Sequence, residues 1–265
     1  MSINEVVAVS AVRTAVGDFG GSLKNHPPAD LAALVIADAV KRSGLSSDDI
    51  EHCVIGSVVH TEAEDMYMAR VAALRAGLPK ETPSLTVNRL CGSGLQAIVT
   101  AAQQIQLGYC EAAVAGGAES MSRAGYLASG ARFGLRMGDG KLVDMMVAAL
   151  HCPMEKVHMG ITAENIAEKW KVSREDQDAL ALEGHRRAMT AINNGYFKEQ
   201  ILPIELKSRK GTSIFDTDEH VRDDISAEGL AKLRTVFKED GTVTAGNASG
   251  LNDGAAAVVL MERAA

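Results

Sequence analysis

The chain has 265 residues, 46% of them hydrophobic, with 27 Lys and Arg against 34 Asp and Glu for a net charge of −7. At about 150 residues per domain this is one large domain or two small ones, with enough apolar material for a core and too much for disorder. The acidic balance excludes a surface built chiefly to neutralise nucleic-acid phosphates and leaves room only for a local basic patch facing a small polyanion.

Glu5 to Val12 carries Val6, Val7, Ala8 and Val9 without polar alternation, which predicts a strand buried on both faces of a parallel sheet. Pro27 and Pro28 then precede Leu31, Leu34, Val35 and Ala39 at helical spacing, and Lys41, Arg42 and Gly44 form a stop signal. Cys53 to Val59 reads as a second strand, Met66 to Ala76 as a helix, Leu85 to Asn88 as a third strand, Cys91 to Leu107 as a long helix and Ala112 to Ala118 as a fourth strand. Repeated β-α-β of this kind is the signature of an α/β layer fold with right-handed crossovers. From Met121 the texture turns to Gly, Met and Ser with scattered Arg, followed by polar helices over Thr162 to Lys171 and Ser173 to Asn194 and an acidic stretch, Asp216 to Asp224, expected as a solvated loop. Alternation resumes only at Ala255 to Met261. Residues 1–120 and 250–265 are therefore expected to form one core, with 121–249 inserted as a subdomain having its own helices, since structureless loops of that length are rare. The chain ends as its last strand ends. An inner strand there implies further chain beyond it, and an edge strand implies none.

No run reaches the roughly 18 to 20 apolar residues of a membrane span. Met1 to Arg13 shows neither a basic leader nor a small-residue cleavage site, so no signal peptide is expected. Cys53, Cys91, Cys110 and Cys152 form no CxxC pair, so neither a disulfide framework nor a zinc site is expected, and a reducing, cytoplasmic setting is the default.

The sharpest local feature is Asn88-Arg89-Leu90-Cys91-Gly92-Ser93-Gly94-Leu95 at a strand-to-helix turn. A helix N-terminus offers free N–H groups and partial positive charge, which favours a thiolate, and Gly92 and Gly94 clear side chains from beside the sulfur. Cys91 reads as a nucleophile or, equally, as a buried structural cysteine before a tight turn. Gly92 to Ala97 also satisfies the dinucleotide pattern GxGxxG/A, but Glu111 falls at the start of the next apolar run, where a ribose-binding acid would stand at its end. A serine nucleophile elbow at Ser93 fails because Cys91 and Leu95 occupy its glycine positions. Of the histidines, His158 stands just before a helix and is the best candidate to face a pocket. His26, His60, His151, His185 and His220 sit in polar or loop contexts. Glu155 and His158 make one E-x-x-H unit where a carboxylate di-metal site needs two, so no metal is expected. Thr242 to Gly254 is dense in small residues, which suits tight turns with backbone N–H groups open to a ligand, or simply a complex loop.

Four motifs in order, N-R-L-C-G-S-G at 88–94, G-G-A-E-S-M-S at 116–122, H-M-G-I-T-A-E-N at 158–165 and T-A-G-N-A-S-G-L-N-D-G at 244–254, resemble the thiolases, specifically the short-chain bacterial acetyl-CoA acetyltransferases and β-ketothiolases. The resemblance covers the whole chain and implies a βαβαβαββ layered half-fold with an inserted loop subdomain, the first of two similar halves. It implies that Cys91 carries the acyl group as a thioester, that a second cysteine removes an α-proton from the next acetyl-CoA, and that Claisen condensation gives acetoacetyl-CoA, reversibly. Coenzyme A thioesters are then substrates, with no retained cofactor. By the same resemblance His158 and Met159 line the acyl pocket, Arg222 and Ser249 contact CoA, and Leu150, Ala245 and Phe237 join them. Gly229 stands where relatives commonly carry Ser. A homo-oligomer, dimer or tetramer, is implied for the full-length protein, with no nucleic-acid or membrane partner. The family's G-H-P, C-x-G-x-G and N-E-A-F motifs are absent from these 265 residues, and Asn25-His26-Pro27 is a chance match. This implies that the isolated chain lacks full activity. A non-catalytic CoA-binding or dimerisation module is the alternative, and a Cys91–His158 hydrolase a third reading.

Overall fold

The computed structural model describes residues 3–209 and 211–265. In chain order its elements are β1 (Val6–Thr14), β2 (Gly17–Asp18), α1 (Pro28–Ser43), β3 (His52–Gly56), α2 (Met68–Arg75), β4 (Ser84–Val87), α3 (Ser93–Gln106) and β5 (Ala112–Ser120). There follow β6 (Tyr126–Ala128), β7 (Leu142–Asp144), α4 (Met145–Ala149), α5 (Met159–Trp170), α6 (Arg174–Asn193), β8 (Ile201–Leu202), β9 (Ile204–Ser208), β10 (Gly211–Phe215), α7 (Ala227–Ala231) and β11 (Asn252–Glu262). They fold as two units: Met1–Gly125, Lys198–Asp218 and Asn252–Ala265 in one, Tyr126–Phe197 and Glu219–Leu251 in the other.

The first unit is built on a seven-stranded sheet in the order β4-β3-β5-β11-β1-β8, with β2 also paired to β11. β3 runs parallel to β4 and β5, while β11 is antiparallel to β5 and β1. The sheet is covered on two sides. The thiol of Cys53 lies 3.9 Å from the Ala69 carbonyl of α2, whereas its neighbour Val54 packs with Ala97, Ala101 and Ile105 of α3. Adjacent strand residues face opposite ways, so α2 and α3 lie on opposite faces. α1 starts at Pro28, buries Leu31, Val35, Ile36 and Ala39, and stops at Gly44, which takes φ +80° as its C-cap and donates its N–H to the Lys41 carbonyl.

Several sequence expectations change. β1 is not buried on both faces: Ala8, Val9 and Ala11 are exposed, and on the edge away from β11 the strand is covered by β8 only at Arg13 and Thr14. The strand expected to reach Val59 stops at Gly56, because the Val58 and Val59 N–H groups turn to the Glu119 carboxylate. The helix expected from Met66 begins as a 3-10 turn over Ala63–Tyr67, with Asp65 accepting from the Thr61 and Glu62 N–H groups. The 121–249 segment is not one inserted piece: residues 198–218 join the sheet-bearing unit through the β1–β8 pairing. Nor is the acidic stretch wholly solvated. Asp218 is held by the Arg13 guanidinium at 2.7 and 3.0 Å and accepts from the Val16 N–H at 2.8 Å. The final apolar run is an inner strand, between β5 and β1.

The second unit comprises the β6–β7 hairpin and helices α4 to α7. Ser173 caps α6 by accepting from the Asp176 N–H, as its sequence position predicts. Arg174 pairs with Asp178 at 2.7 Å and donates to the Leu230 and Leu233 carbonyls, tying α6 to α7. Among the described residues no helix is long and apolar enough to cross a membrane, and no three His, Cys, Asp or Glu side chains are grouped to hold a metal.

Candidate functional site

Cys91 is exposed, just ahead of Gly92, the N-cap of α3, rather than inside the first helical turn. The turn that carries it is tightly specified. The Asn88 carboxamide oxygen accepts from the Leu90 N–H at 3.0 Å and its NH2 donates to the Val58 carbonyl at 3.3 Å. The Ser93 hydroxyl accepts from the Arg89 N–H at 2.8 Å and donates to the Leu90 carbonyl at 2.6 Å. Between these anchors Leu90 takes φ +49°, a left-handed conformation that costs a non-glycine residue about 1–3 kcal/mol and persists only where its surroundings over-determine it. Below the turn, a Cβ at Gly56 would lie 2.6 Å from the Ser93 carbonyl carbon, so only glycine lets the start of α3 sit against the end of β3. The other cysteines are differently placed. Burial pushes the Cys53 thiol up to about 12 and, with Glu51 nearby, the Cys110 thiol up to about 11, which leaves both inert near neutral pH.

The second unit gathers the other expected residues. His158 is the N-cap of α5, its Nδ1 accepting from the Gly160 N–H at 3.0 Å, so the ring proton is assigned to Nε2. Its ring stacks on Phe237 at 4.6 Å and meets His151 edge-on at 5.2 Å. Burial, and then His151, push its pKa below the usual histidine value, so the ring is held neutral, as a pocket wall rather than a cation. The adjacent Met159 is partly exposed and donates its N–H to the Leu150 carbonyl at 2.8 Å, so Leu150, His158, Met159 and Phe237 converge.

Ala245 and Ser249 are exposed on the 242–250 loop, whose root is fixed by the buried Glu164. That carboxylate accepts from the Thr242 N–H, the Thr242 hydroxyl and the Val243 N–H at 2.7–3.0 Å. Asn247 closes the loop, accepting from the Thr244 N–H and donating to Asp178 and to the Thr242 carbonyl. Arg222 is exposed and pairs with Asp224 at 3.1 Å, and its backbone N–H donates to Nδ1 of His185. A Cβ at Gly250 would lie 2.4 Å from the His220 ring, so the segment leading to Arg222 packs against the end of the Ser249 loop. Gly229 lies in α7, its N–H capped by the Ser226 hydroxyl.

Sequence reasoning missed Glu119, Glu164 and Asn247. All lie within quoted motifs. For Glu119 and Asn247 the signal was an acidic or amide side chain among small residues, where a backbone with few side chains must find its hydrogen-bond partners elsewhere; Glu164, between Thr162 and Ile166 on α5, carries no such signal.

Comparison with known proteins supplies an independent line. The family model described as thiolase, N-terminal domain, matches residues 6–264. The beta-ketothiolase BktB of Cupriavidus necator is 62% identical over 98% of this chain and 66% of its own length. The acetyl-CoA acetyltransferase of Pseudomonas aeruginosa is 48% identical over 99% and 67%. Among solved structures, the Bacillus anthracis acetyl-CoA acetyltransferase superposes with a TM-score of 0.95 at 45% identity over 99% of this chain and 66% of that one. The human mitochondrial 3-ketoacyl-CoA thiolase in complex with CoA superposes at 0.94 with 42% identity over 98% and 65%. The chain thus spans about two thirds of the length of the relatives it matches.

Proposed function

The chain belongs to the thiolase family, of which it carries the N-terminal domain, and from that premise we propose that Cys91 is the acyl-carrying nucleophile of a reversible Claisen condensation of acyl-CoA units. The observation that carries this reading is an exposed thiol held ahead of α3 by a turn strained at Leu90. In the acylation step the Cys91 sulfur attacks the thioester carbonyl, a new C–S bond forms, the bond to the CoA sulfur breaks, and CoA leaves as its thiol after taking up the proton. Leu150, His158, Met159 and Phe237 supply an apolar, uncharged wall for the acyl end, while Arg222, Ala245 and Ser249 hold the nucleotide and pantetheine portions. CoA thioesters are substrates in this reading, with no metal and no retained cofactor. A cytoplasmic setting and a homo-oligomeric full-length protein, dimer or tetramer, belong to the same proposal.

The reading is tested by incubating the chain with acetyl-CoA, quenching in acid and mapping peptides by mass. An acetyl group is expected on Cys91 and on no other cysteine, and none in Cys91→Ala. Because G-H-P and C-x-G-x-G do not occur in these 265 residues, steady thiolysis of acetoacetyl-CoA is not expected from this chain by itself. Acetylation of Cys152 in preference to Cys91 would refute the assignment.

A further inference from the structure

We propose that Glu119 is a positioning residue for Cys91, acting through the backbone of Val58 and Val59 and the side chain of Asn88. This rests on Cys91 being the nucleophile. Glu119 stands two residues beyond the last paired position of β5 with β3, where Gly56 faces Gly117. Past that point β3 has no strand partner on this side. Instead both carboxylate oxygens of Glu119 are engaged, one accepting from the Val58 N–H at 2.9 Å and the other from the Val59 N–H at 3.1 Å. The carboxylate therefore continues the sheet as a side-chain clamp on two successive amides.

The clamp is relayed. The carbonyl of the same Val58 accepts from the Asn88 NH2, and the other end of that amide accepts from the Leu90 N–H. Leu90 is the left-handed residue directly before Cys91. One side chain thus fixes the strand end, the strand end fixes Asn88, and Asn88 fixes the strained residue that aims the sulfur. The strand ends and the first turn of α3 lie close together: a Cβ at Gly117 would lie 3.2 Å from the Gly56 carbonyl oxygen and 3.5 Å from Cα of Gly94. Burial pushes the Glu119 carboxyl up from its usual value against the pull of its two N–H bonds. A half-buried acid that holds two successive amides, with His60 and Asp65 nearby, is suited to fixing backbone geometry.

The experiment uses the 265-residue chain and iodoacetamide, with alkylation rates of Cys91 and Cys152 read separately by peptide mass mapping and the melting temperature recorded for each variant. Releasing the clamp lets Leu90 relax and moves the Cys91 sulfur out of the exposed position in which the turn holds it. Glu119→Ala is therefore expected to slow Cys91 about threefold to tenfold and leave Cys152 unchanged, and Glu119→Gln, which keeps one acceptor, to recover at least half of that loss. Asn88→Ala, an exposed position, should slow Cys91 alike, and the double variant no more than either single one, since residues in series couple non-additively. If Glu119→Ala fails to fold, Asn88→Ala and Glu119→Gln carry the test. Cys91 rates within twofold of the unsubstituted chain in these variants, or effects that multiply, overturn the proposal while leaving the nucleophile intact. Cys91 reacting no faster than Cys152 in the unsubstituted chain removes the nucleophile reading and the proposal together.

Discussion

Glu164→Ala tests whether one carboxylate organises the loop assigned to CoA. The side chain is 3% exposed and accepts from two backbone N–H groups and one hydroxyl, all on Thr242 and Val243. Its removal leaves those two amides without partners; at about 1–3 kcal/mol for each deserted donor, the loss is about 2–6 kcal/mol, a large share of what holds a small unit together. Hydrogen exchange read by mass on peptides covering 236–250, beside urea unfolding, is the assay. The amides of residues 242 to 247 should exchange faster and the urea midpoint of this unit should fall, with Glu164→Gln intermediate because it keeps one acceptor. The pH dependence has a definite sign. Burial raises the carboxyl's pKa, but the bonds from Val243 and Thr242 outweigh it, and the net shift is downward. The unfolded group titrates near about 4.3, so this stabilisation is fully present above that pH and drains away as pH falls through the lower folded value. Unchanged exchange at 242–244 with an unchanged midpoint would show that the loop is held by Asn247 alone.

Four further outcomes are expected. Iodoacetamide near neutral pH should modify Cys91 and Cys152 while sparing Cys53 and Cys110, whose thiols burial pushes up to about 12 and about 11; early labelling of Cys53 would contradict the sheet packing. Gly160→Ala places a Cβ 2.2 Å from the Phe237 ring, and overpacking of this kind costs about 1–3 kcal/mol, so the melting temperature should drop and the His158 ring resonances, read by NMR, should move as Phe237 is displaced. Asp218→Asn removes a bidentate partner of the half-buried Arg13 and should lower stability more at pH 7 than at pH 3, because the native carboxyl, although burial raises its pKa, is pulled below the usual range by Arg13 and the Val16 N–H. Arg222→Ala should weaken CoA binding in calorimetry only severalfold, since the guanidinium is exposed and already paired with Asp224, and NAD should bind neither form.

The α/β order of the first unit was legible because its helices and strands carry different periods and clean stops: Gly44 closes α1 where Lys41 and Arg42 predict, and Ser173 caps α6. Strand orientation was not. The Val-rich run of β1 looks like a doubly buried parallel strand, yet its partner β11 lies some 240 residues away and runs antiparallel, and nothing local to Val6–Thr14 encodes that. The limits of the insertion were hidden for the same reason, since residues 198–218 join the sheet through a two-residue pairing of Ile201 and Leu202 with β1 and the Arg13–Asp218 ion pair, whose partners are remote in sequence from Val6–Thr14.

The site divides along a similar line. Cys91, His158 and the 242–250 loop stand out as residue types in unusual settings, so motifs find them. The groups that hold them do not, because each acts on backbone far away in sequence: Glu119 on residues 58 and 59, Glu164 on residues 242 and 243. The two solutions share one cause. A reactive thiol or a CoA loop needs open space, which small residues provide, but a backbone stripped of side chains has little to pack with and keeps all its amides to satisfy. A single carboxylate meets both demands, taking two N–H groups at once in fixed geometry. Gly241, whose Cβ would lie 2.3 Å from the Glu164 carboxylate, leaves room for it, and a Glu such as Glu119, set among Gly116, Gly117, Ala118 and Ser120, is worth reading as a clamp before it is read as an acid or a base.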